Sequence, residues 1–277
     1  MIPTEQLGRK MKSMKSLLKS IVLALAIVSG ATAVAQTFDQ AMAAYEQQDY
    51  KTAFAGFQRL AEQGNSDAQT NLAILYASGQ GVPKDEQQAI FWYRKAAEQG
   101  NSGAQGGLGR MYSTGRGVPK DSQQAAAWFR KAAEQGDASA QFLLGRLYSK
   151  GEGVLKDEQQ AAFWYRKAAE QGDAIAQDLL GAAYSRGLGV PKDSQQAAAW
   201  FRKAADQGFA NAQFNLGLHY AKGEGVPKDA ELTYFWWLLS SAQGNADALS
   251  FRDPFEKTLT PQQRANAQAA ARNWKPK

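Results

Sequence analysis

Residues 65–100 read NSDAQTNLAILYASGQGVPKDEQQAIFWYRKAAEQG, and residues 101–136 read NSGAQGGLGRMYSTGRGVPKDSQQAAAWFRKAAEQG. The second stretch follows the first without a gap and keeps its skeleton. Gly64, Gly100, Gly136, Gly172, Gly208 and Gly244 fall 36 residues apart, as do Trp92, Trp128, Trp164, Trp200 and Trp236, and Tyr76, Tyr112, Tyr148, Tyr184 and Tyr220. A fixed period of this size marks an array of one small unit, which cannot bury its apolar face alone and stacks on its neighbours instead.

Each unit holds two helices. The first, helix A, is expected over residues 66–78, where Ala68, Leu72, Leu75 and Tyr76 share one helical face. The second, helix B, is expected over residues 86–99 with Ala89, Trp92, Tyr93, Ala96 and Ala97 as its apolar stripe. Asp85 can cap helix B, and Gln88 three residues on can reach back, a capping-box spacing. The pair recurs as Asp121/Gln124, Asp157/Gln160 and Asp193/Gln196, and lapses at Asp229/Leu232. Gly100 and its equivalents end helix B, because the residue after the cap turns left-handed. Between the helices, Gly79-x-Gly81-Val82-Pro83 turns the chain, Pro83 stops helix A from running into B, and Val82 tucks inward. Leu155 replaces that proline in the third unit. Inside helix A, Gly109, Gly145, Gly181 and Gly217 recur at one position. A helix-interior glycine costs about 1 kcal/mol relative to alanine, so its repetition points to a close helix–helix approach there.

The ends depart from the pattern. Residues 36–64 read as an N-terminal capping pair of helices, with Tyr45, Phe54 and Phe57 as apolar surface. The array occupies 65–252, and residues 253–277 form a C-terminal cap. There Asp253-Pro254 is expected to break a last helix A, and Thr260-Pro261 to start a final helix ending near Trp274. The dense run from Tyr234 to Leu239 is in phase with the helix B stripes and reads as core. The expected fold is all-α, an α-solenoid of about five helix-turn-helix units in one right-handed stack.

Residues 1–35 have the layout of a secretory signal peptide. Basic residues come first, an apolar run is strongest from Ile21 to Val28, and Ala33-Val34-Ala35 gives a small-x-small cleavage site with Gln36 as the mature start. Met11 or Met14 is an alternative first residue. The apolar run is shorter than the roughly 20 residues that cross a bilayer. The whole chain carries a net charge of +6, but five basic residues and one acid precede Gln36; the remainder holds 27 basic and 25 acidic residues, a net of +2. That gives no case for nucleic acid as a partner, which needs a clustered basic face. There is no cysteine, hence no disulfide, thiolate metal site, cysteine nucleophile or lipidated cysteine.

The order A-Q-x-x-L-G-x-x-Y-x-x-G-x-G-V-P-K-D-x-x-x-A-x-x-W-x-x-K-A-A-x-Q-G resembles Sel1-like repeats, relatives of tetratricopeptide repeats lengthened by the Gly-x-Gly loop. In the third unit Ala140, Gln141, Leu144, Gly145, Tyr148, Gly151, Gly153, Val154, Asp157, Trp164, Gln171 and Gly172 are among the residues that carry it. The resemblance spans residues 45–249. It implies a scaffold or adaptor for protein partners, and bacterial members are often exported and take part in envelope or host-interaction processes. Some cysteine-rich members carry a β-lactamase label, which a chain without cysteine does not inherit.

Catalytic sets are sparse. The single histidine, His219, occupies the core-facing position of Leu75, Met111 and Leu147. The Ser-x-x-Lys motif, Ser16 to Lys19, lies inside the expected signal peptide. Gly-x-Gly-Val-Pro-Lys lacks P-loop spacing, and Pro83 removes an N–H that phosphate would use. No cofactor or metal is expected, and the chain reads as a non-enzyme; an envelope hydrolase or a host-interaction factor is the alternative.

Stacking residues must stay constant, so recognition is sought where units differ. Helix A differs at positions spaced by four, which share a face: Thr70, Ile74 and Ser78; Gly106, Arg110 and Thr114; Phe142, Arg146 and Lys150; Asp178, Ala182 and Arg186; Phe214, Leu218 and Lys222. The resemblance places helix A on the concave side. The expected partner-binding residues are Arg110, Phe142, Arg146, Lys150, Asp178, Arg186, Phe214, Leu218 and Lys222. Phe142 and Phe214 would be exposed aromatics beside arginine and lysine, the composition of an interface hot spot. The reading is an exported adaptor, periplasmic or secreted, monomeric, without a membrane span after cleavage, that binds a protein or peptide.

Overall fold

The computed structural model describes residues 38–277; the expected signal peptide, its cleavage site and the Ser16/Lys19 pair lie outside them. Among the described residues there are fourteen helices and no strand. They are α1 (residues 38–46), α2 (Tyr50–Glu62), α3 (Ser66–Ser78), α4 (Glu86–Glu98), α5 (Ser102–Thr114), α6 (Ser122–Glu134), α7 (Ala138–Lys150), α8 (Glu158–Glu170), α9 (Ala174–Arg186), α10 (Ser194–Asp206), α11 (Ala210–Lys222), α12 (Ala230–Ala242), α13 (Ala246–Glu256) and α14 (Pro261–Asn273). The fold is an α-solenoid of five 36-residue units. Helix A is α3, α5, α7, α9 and α11; helix B is α4, α6, α8, α10 and α12. The chain forms two compact parts, the first reaching Ala104 and the second running from Gln105 to Lys277.

In the first part, α1 and α2 close the start of the array. Phe57 is fully buried, with its ring 5.9 Å from Phe38 and 6.4 Å from Tyr45. Phe54 meets Tyr76 of α3 edge-on at 5.4 Å. Helix α3 has the expected limits: Asn65 accepts from the Ala68 N–H, and Gly79 ends the helix left-handed at φ +74°. At α4, Asp85 accepts from the N–H groups of Gln87 and Gln88. The return half of the expected capping box does not follow, because the Asp85 N–H is already donated to the Tyr76 carbonyl at 2.9 Å. The same bond joins Asp121 to Tyr112, Asp157 to Tyr148, Asp193 to Tyr184 and Asp229 to Tyr220. It ties the end of each loop to helix A of its own unit. Asp229, where the glutamine is missing, still caps the Leu232 N–H. A reciprocal box does form at Thr260/Gln263.

In the second part the interior glycines behave as their repetition implies. A Cβ on Gly109 would meet the Phe129 ring at 2.6 Å, on Gly145 the Tyr165 ring at 2.7 Å, on Gly181 the Phe201 ring at 2.8 Å, and on Gly217 the Trp237 indole at 2.5 Å. The aromatic ring of helix B lies against the bare backbone of helix A. The two rings of the helix B stripe divide the work. Trp92 and Trp236 are buried, but Trp128, Trp164 and Trp200 are only half-buried, and the residue after each, Phe129, Tyr165 and Phe201, is the one sealed inside. Trp164 and Trp200 instead reach the core of the preceding unit. One aromatic closes the unit and its neighbour joins units.

A polar spine runs beside this apolar one. Gln141 donates to the Ala133 carbonyl at 3.0 Å, Gln177 to Ala169 at 3.0 Å and Gln213 to Ala205 at 3.2 Å, each bonding the end of the preceding helix B. Each also accepts from the glutamine that ends its own helix B: Gln171 to Gln141 at 2.8 Å, Gln207 to Gln177 at 2.8 Å and Gln243 to Gln213 at 2.9 Å. A helix leaves its last carbonyls without intrahelical partners; here a buried side chain of the next unit supplies one.

The C-terminal cap differs from expectation at one point. Helix α13 continues through Pro254 and ends at Glu256. Proline removes only the bond to the fourth residue back, and the helix stops two residues later, so little of it has to tolerate the missing donor. Helix α14 starts and ends where the sequence indicates, and Ala267, Ala271 and Trp274 close the last core. The tail folds back onto α10, where the Lys277 N–H donates to the Asp206 carbonyl at 2.9 Å.

Candidate functional site

The nine residues singled out from the sequence all lie in the second part, on α5, α7, α9 and α11. Side chains link these helices in two pairs. Arg110 donates from Nη2 to Ser139 Oγ at 2.6 Å, joining α5 to α7, and Asn215 donates to Asp178 Oδ1 at 3.0 Å, joining α9 to α11. Arg110, Arg146, Lys150, Arg186 and Lys222 are exposed.

The aromatics are not. Phe142 is half-buried, 6.3 Å from the Tyr165 ring, and Phe214 is half-buried, 6.3 Å from Trp237 and 5.5 Å from Phe251. The reason lies three residues on. Gly145 and Gly217 draw the helix B ring against helix A, and a side chain at i−3 lies on the same side, over that ring. Arg146 leans over the Phe142 ring, with its guanidinium 5.9 Å from the ring centre.

Asp178 sits at the same position of the unit and is buried, 9 % exposed. Burial pushes its carboxyl above the ordinary carboxylate range, while the Asn215 hydrogen bond and the Arg186 charge pull it the other way. A carboxyl raised in the folded state binds a proton more readily there than when unfolded, so its ionisation penalises the fold above the folded value. Asp178→Asn keeps an acceptor for Asn215 and removes that penalty. It is expected to raise the melting temperature at pH 7, by an amount that shrinks as pH falls through the folded value toward the ordinary carboxylate range; melting curves at several pH values check this, and a pH-independent gain would refute it.

Between α9 and α11 a cleft of about 150 Å³ brings several of these residues together. Arg186, Leu218 and Lys222 line it with Asn215, His219 and Glu224, over the Phe201 ring. Leu218 is half-buried and forms part of its wall. His219 is 4 % exposed, as its position in the unit implies, with Nδ1 2.7 Å from the Glu224 carbonyl. A carbonyl only accepts, so Nδ1 carries the proton. The bond holds the ring against the loop, which is a structural use of the histidine. Asn215 and His219 were not among the expected binding residues. Asn215 had a signal, since its position in the unit varies as Asn71, Gly107, Leu143 and Leu179.

The charge on this face is one-sided. In α5, α7, α9 and α11 every exposed charged side chain is a cation, and the one acid, Asp178, is buried. The B helices of the same part alternate in sign, as with Lys131 and Glu134 or Lys167 and Glu170. There the lysines sit over aromatic rings, Lys131 at 4.2 Å from Trp128 and Lys203 at 4.0 Å from Trp200. Among the described residues no group of three His, Cys, Asp or Glu is placed to hold a metal, and no helix is long and apolar enough to cross a membrane.

The repeat profile that matches the chain is the Sel1 repeat, over residues 66–101, 102–137, 138–173, 174–209 and 210–245. The chain belongs to the Sel1 repeat family. Its limits fall one residue from those of the 36-residue period read from the sequence. Two solved structures are similar along most of its length. One is a Sel1 repeat protein from Oxalobacter formigenes, 34% identical with a TM-score of 0.72, covering 85% of this chain and 96% of the other. The other is c5321, a protective antigen of uropathogenic Escherichia coli strains with the SLR fold, 30% identical with a TM-score of 0.79. That match covers 88% of this chain but spans 54% of the antigen, about half its length. Comparison with curated proteins finds no match. Sel1 repeat proteins generally mediate protein–protein interactions, and the family is typically a non-enzymatic scaffold.

Proposed function

We propose that this Sel1 repeat protein is an exported, non-enzymatic adaptor that holds a protein partner on the helix A face of its second part. The observation that carries the reading is the charge of α5, α7, α9 and α11: their solvent-exposed charges are all positive, on helices whose stacking residues are otherwise constant. A stacking role does not require that, because the stacking contacts are made by the aromatics, the interior glycines and the glutamine spine. Export is supported by the signal-like layout of residues 1–35 and by the likeness to an antigen, a kind of protein that immune recognition must reach.

The test is chemical crosslinking and affinity capture from the native envelope, with the purified chain and with a variant carrying Arg146→Glu, Arg186→Glu and Lys222→Glu. These side chains are exposed, so helicity and melting should stay within ordinary surface-mutation limits, about 0.5 kcal/mol each. Saturable capture that the variant loses by at least ~10-fold supports the face. Capture unaffected by the three substitutions rejects it. The mass of the chain recovered from that fraction should correspond to a start at Gln36; a retained Met1 would reject cleavage.

A further inference from the structure

We propose that α7, α9 and α11 read an extended acidic peptide whose carboxylates fall on every third residue, one of them seated in the α9–α11 cleft between Arg186 and Lys222. This rests on the adaptor reading and names the chemistry of its partner.

Lys150, Arg186 and Lys222 occupy the same position in three successive units, the last residue of helix A, and all three are exposed. They form a row with one cation per helix. Helices α9 and α11 stand side by side, bridged by Asn215 and Asp178 and sharing the cleft, which puts successive cations on the order of 10 Å apart. An extended chain advances about 3.3–3.6 Å per residue, so three residues span about 10 Å. In the polyproline II form of an extended chain, with three residues per turn and a rise of about 3.1 Å, residues three apart share one side about 9 Å apart, so carboxylates spaced by three can meet successive cations, whereas contiguous ones fan out around the helix and cannot.

The acids near the row do not neutralise it. Lys150 has Glu152 at 3.8 Å, but both side chains are more than half exposed. A pair of that kind is weak and is readily exchanged for a ligand carboxylate. Glu224 stands at the equivalent place beside Lys222 and lines the cleft with it, but it is exposed, and Arg186 and Lys222 together outnumber it there. At the central unit that place is held by Leu188, so Arg186 has no loop acid next to it. Asp178, the remaining acid, is buried and committed to Asn215. Arg186 thus combines a fork of donors suited to a carboxylate with a cleft whose wall, Leu218 and Phe201, takes the methylenes of a glutamate. A single-stranded nucleic acid would need exposed rings to stack on, and Phe142 and Phe214 are half-buried against Tyr165 and Trp237.

The experiment measures fluorescence anisotropy of the full chain with two labelled peptides of about ten residues and identical composition. One has glutamates at every third position and the other has them contiguous. The spaced peptide should bind at least ~10-fold more tightly, Arg186→Gln should weaken it by about 10-fold, and Lys167→Gln, a helix B cation, should leave it unchanged, all with wild-type helicity and melting. Equal binding of the contiguous peptide, or of an oligonucleotide of the same charge, overturns the proposal, because net charge alone would then be read. So does an Arg186→Gln variant that binds like wild type. If neither peptide binds while envelope capture still depends on Arg146, Arg186 and Lys222, this inference falls and the adaptor reading stands.

Discussion

Gly153→Ala is expected to destabilise the protein by about 3–5 kcal/mol, while Gly172→Ala, at a position with an even larger positive φ, should cost only about 1–2 kcal/mol. Both residues are left-handed, at φ +71° and +97°. A Cβ at Gly172 would meet nothing within 4 Å, so only the backbone conformation is penalised. A Cβ at Gly153 would land on the carbonyl of Ser122, with the Gln123 nitrogen 2.7 Å away. These are backbone atoms in the first turn of α6, the helix B of the preceding unit, and no rotamer change moves them. The loop of one unit rests there on the helix of another. Gly81 on Tyr50, Gly189 on Glu158 and Gly225 on Ser194 make the same contact. Urea unfolding followed by helical circular dichroism would give the two losses; similar losses at the two sites would mean that the turn conformation, and not the contact between units, is what the second glycine of Gly-x-Gly serves.

That contact shows where sequence reading stopped. The period of 36 residues, the limits of α3 and α4 and the close approach at the interior glycines were all legible, because each follows from a local rule: spacing, caps, or a repeated local penalty. What one unit does to the next was not. The glycines of the loop read as turn formers, which they are, but nothing in a single unit says that the second one lies on Ser122. Trp164 and Tyr165 are in phase with Trp92 and Tyr93 of the apolar stripe, yet Tyr165 is sealed inside while Trp164 stays half-buried toward the preceding unit. The site shows the same division. The cations at Arg110, Arg146, Lys150, Arg186 and Lys222 are exposed as expected, since helical spacing alone decides their side. Phe142, Phe214 and Asp178 share a position whose burial depends on the ring beneath it and on the next helix A. The spacing put them on one face without showing that the face is shallow there.

Gln141→Glu should be more damaging than Gln141→Leu at neutral pH, although glutamate is nearer to glutamine in shape. Gln141 is buried and bonded on both sides. Its amide donates to the Ala133 carbonyl, whose other bond comes from the Gly136 N–H at 3.0 Å, and its oxygen accepts from Gln171. Leucine deletes both bonds but buries no new polar atom, a loss of about 2 kcal/mol at roughly 1 kcal/mol per hydrogen bond. Glutamate keeps the acceptor for Gln171 and turns the donor into a second acceptor, so a carboxylate oxygen faces a carbonyl oxygen in a buried place. That should cost about 3–4 kcal/mol at pH 7. The two variants then separate on acidification. Burial and the facing carbonyl raise the folded-state value of the new carboxyl, so its penalty is present above that value and fades as pH falls through it, when the neutral acid can donate O–H to the Ala133 carbonyl. The leucine deficit has no titrating group behind it and should hold constant against wild type over the same range. Unfolding midpoints of the three proteins between pH 7 and about pH 4 test this: recovery of the glutamate variant alone places a required donor at position 141, and parallel pH profiles for both variants would reduce the glutamine spine to packing.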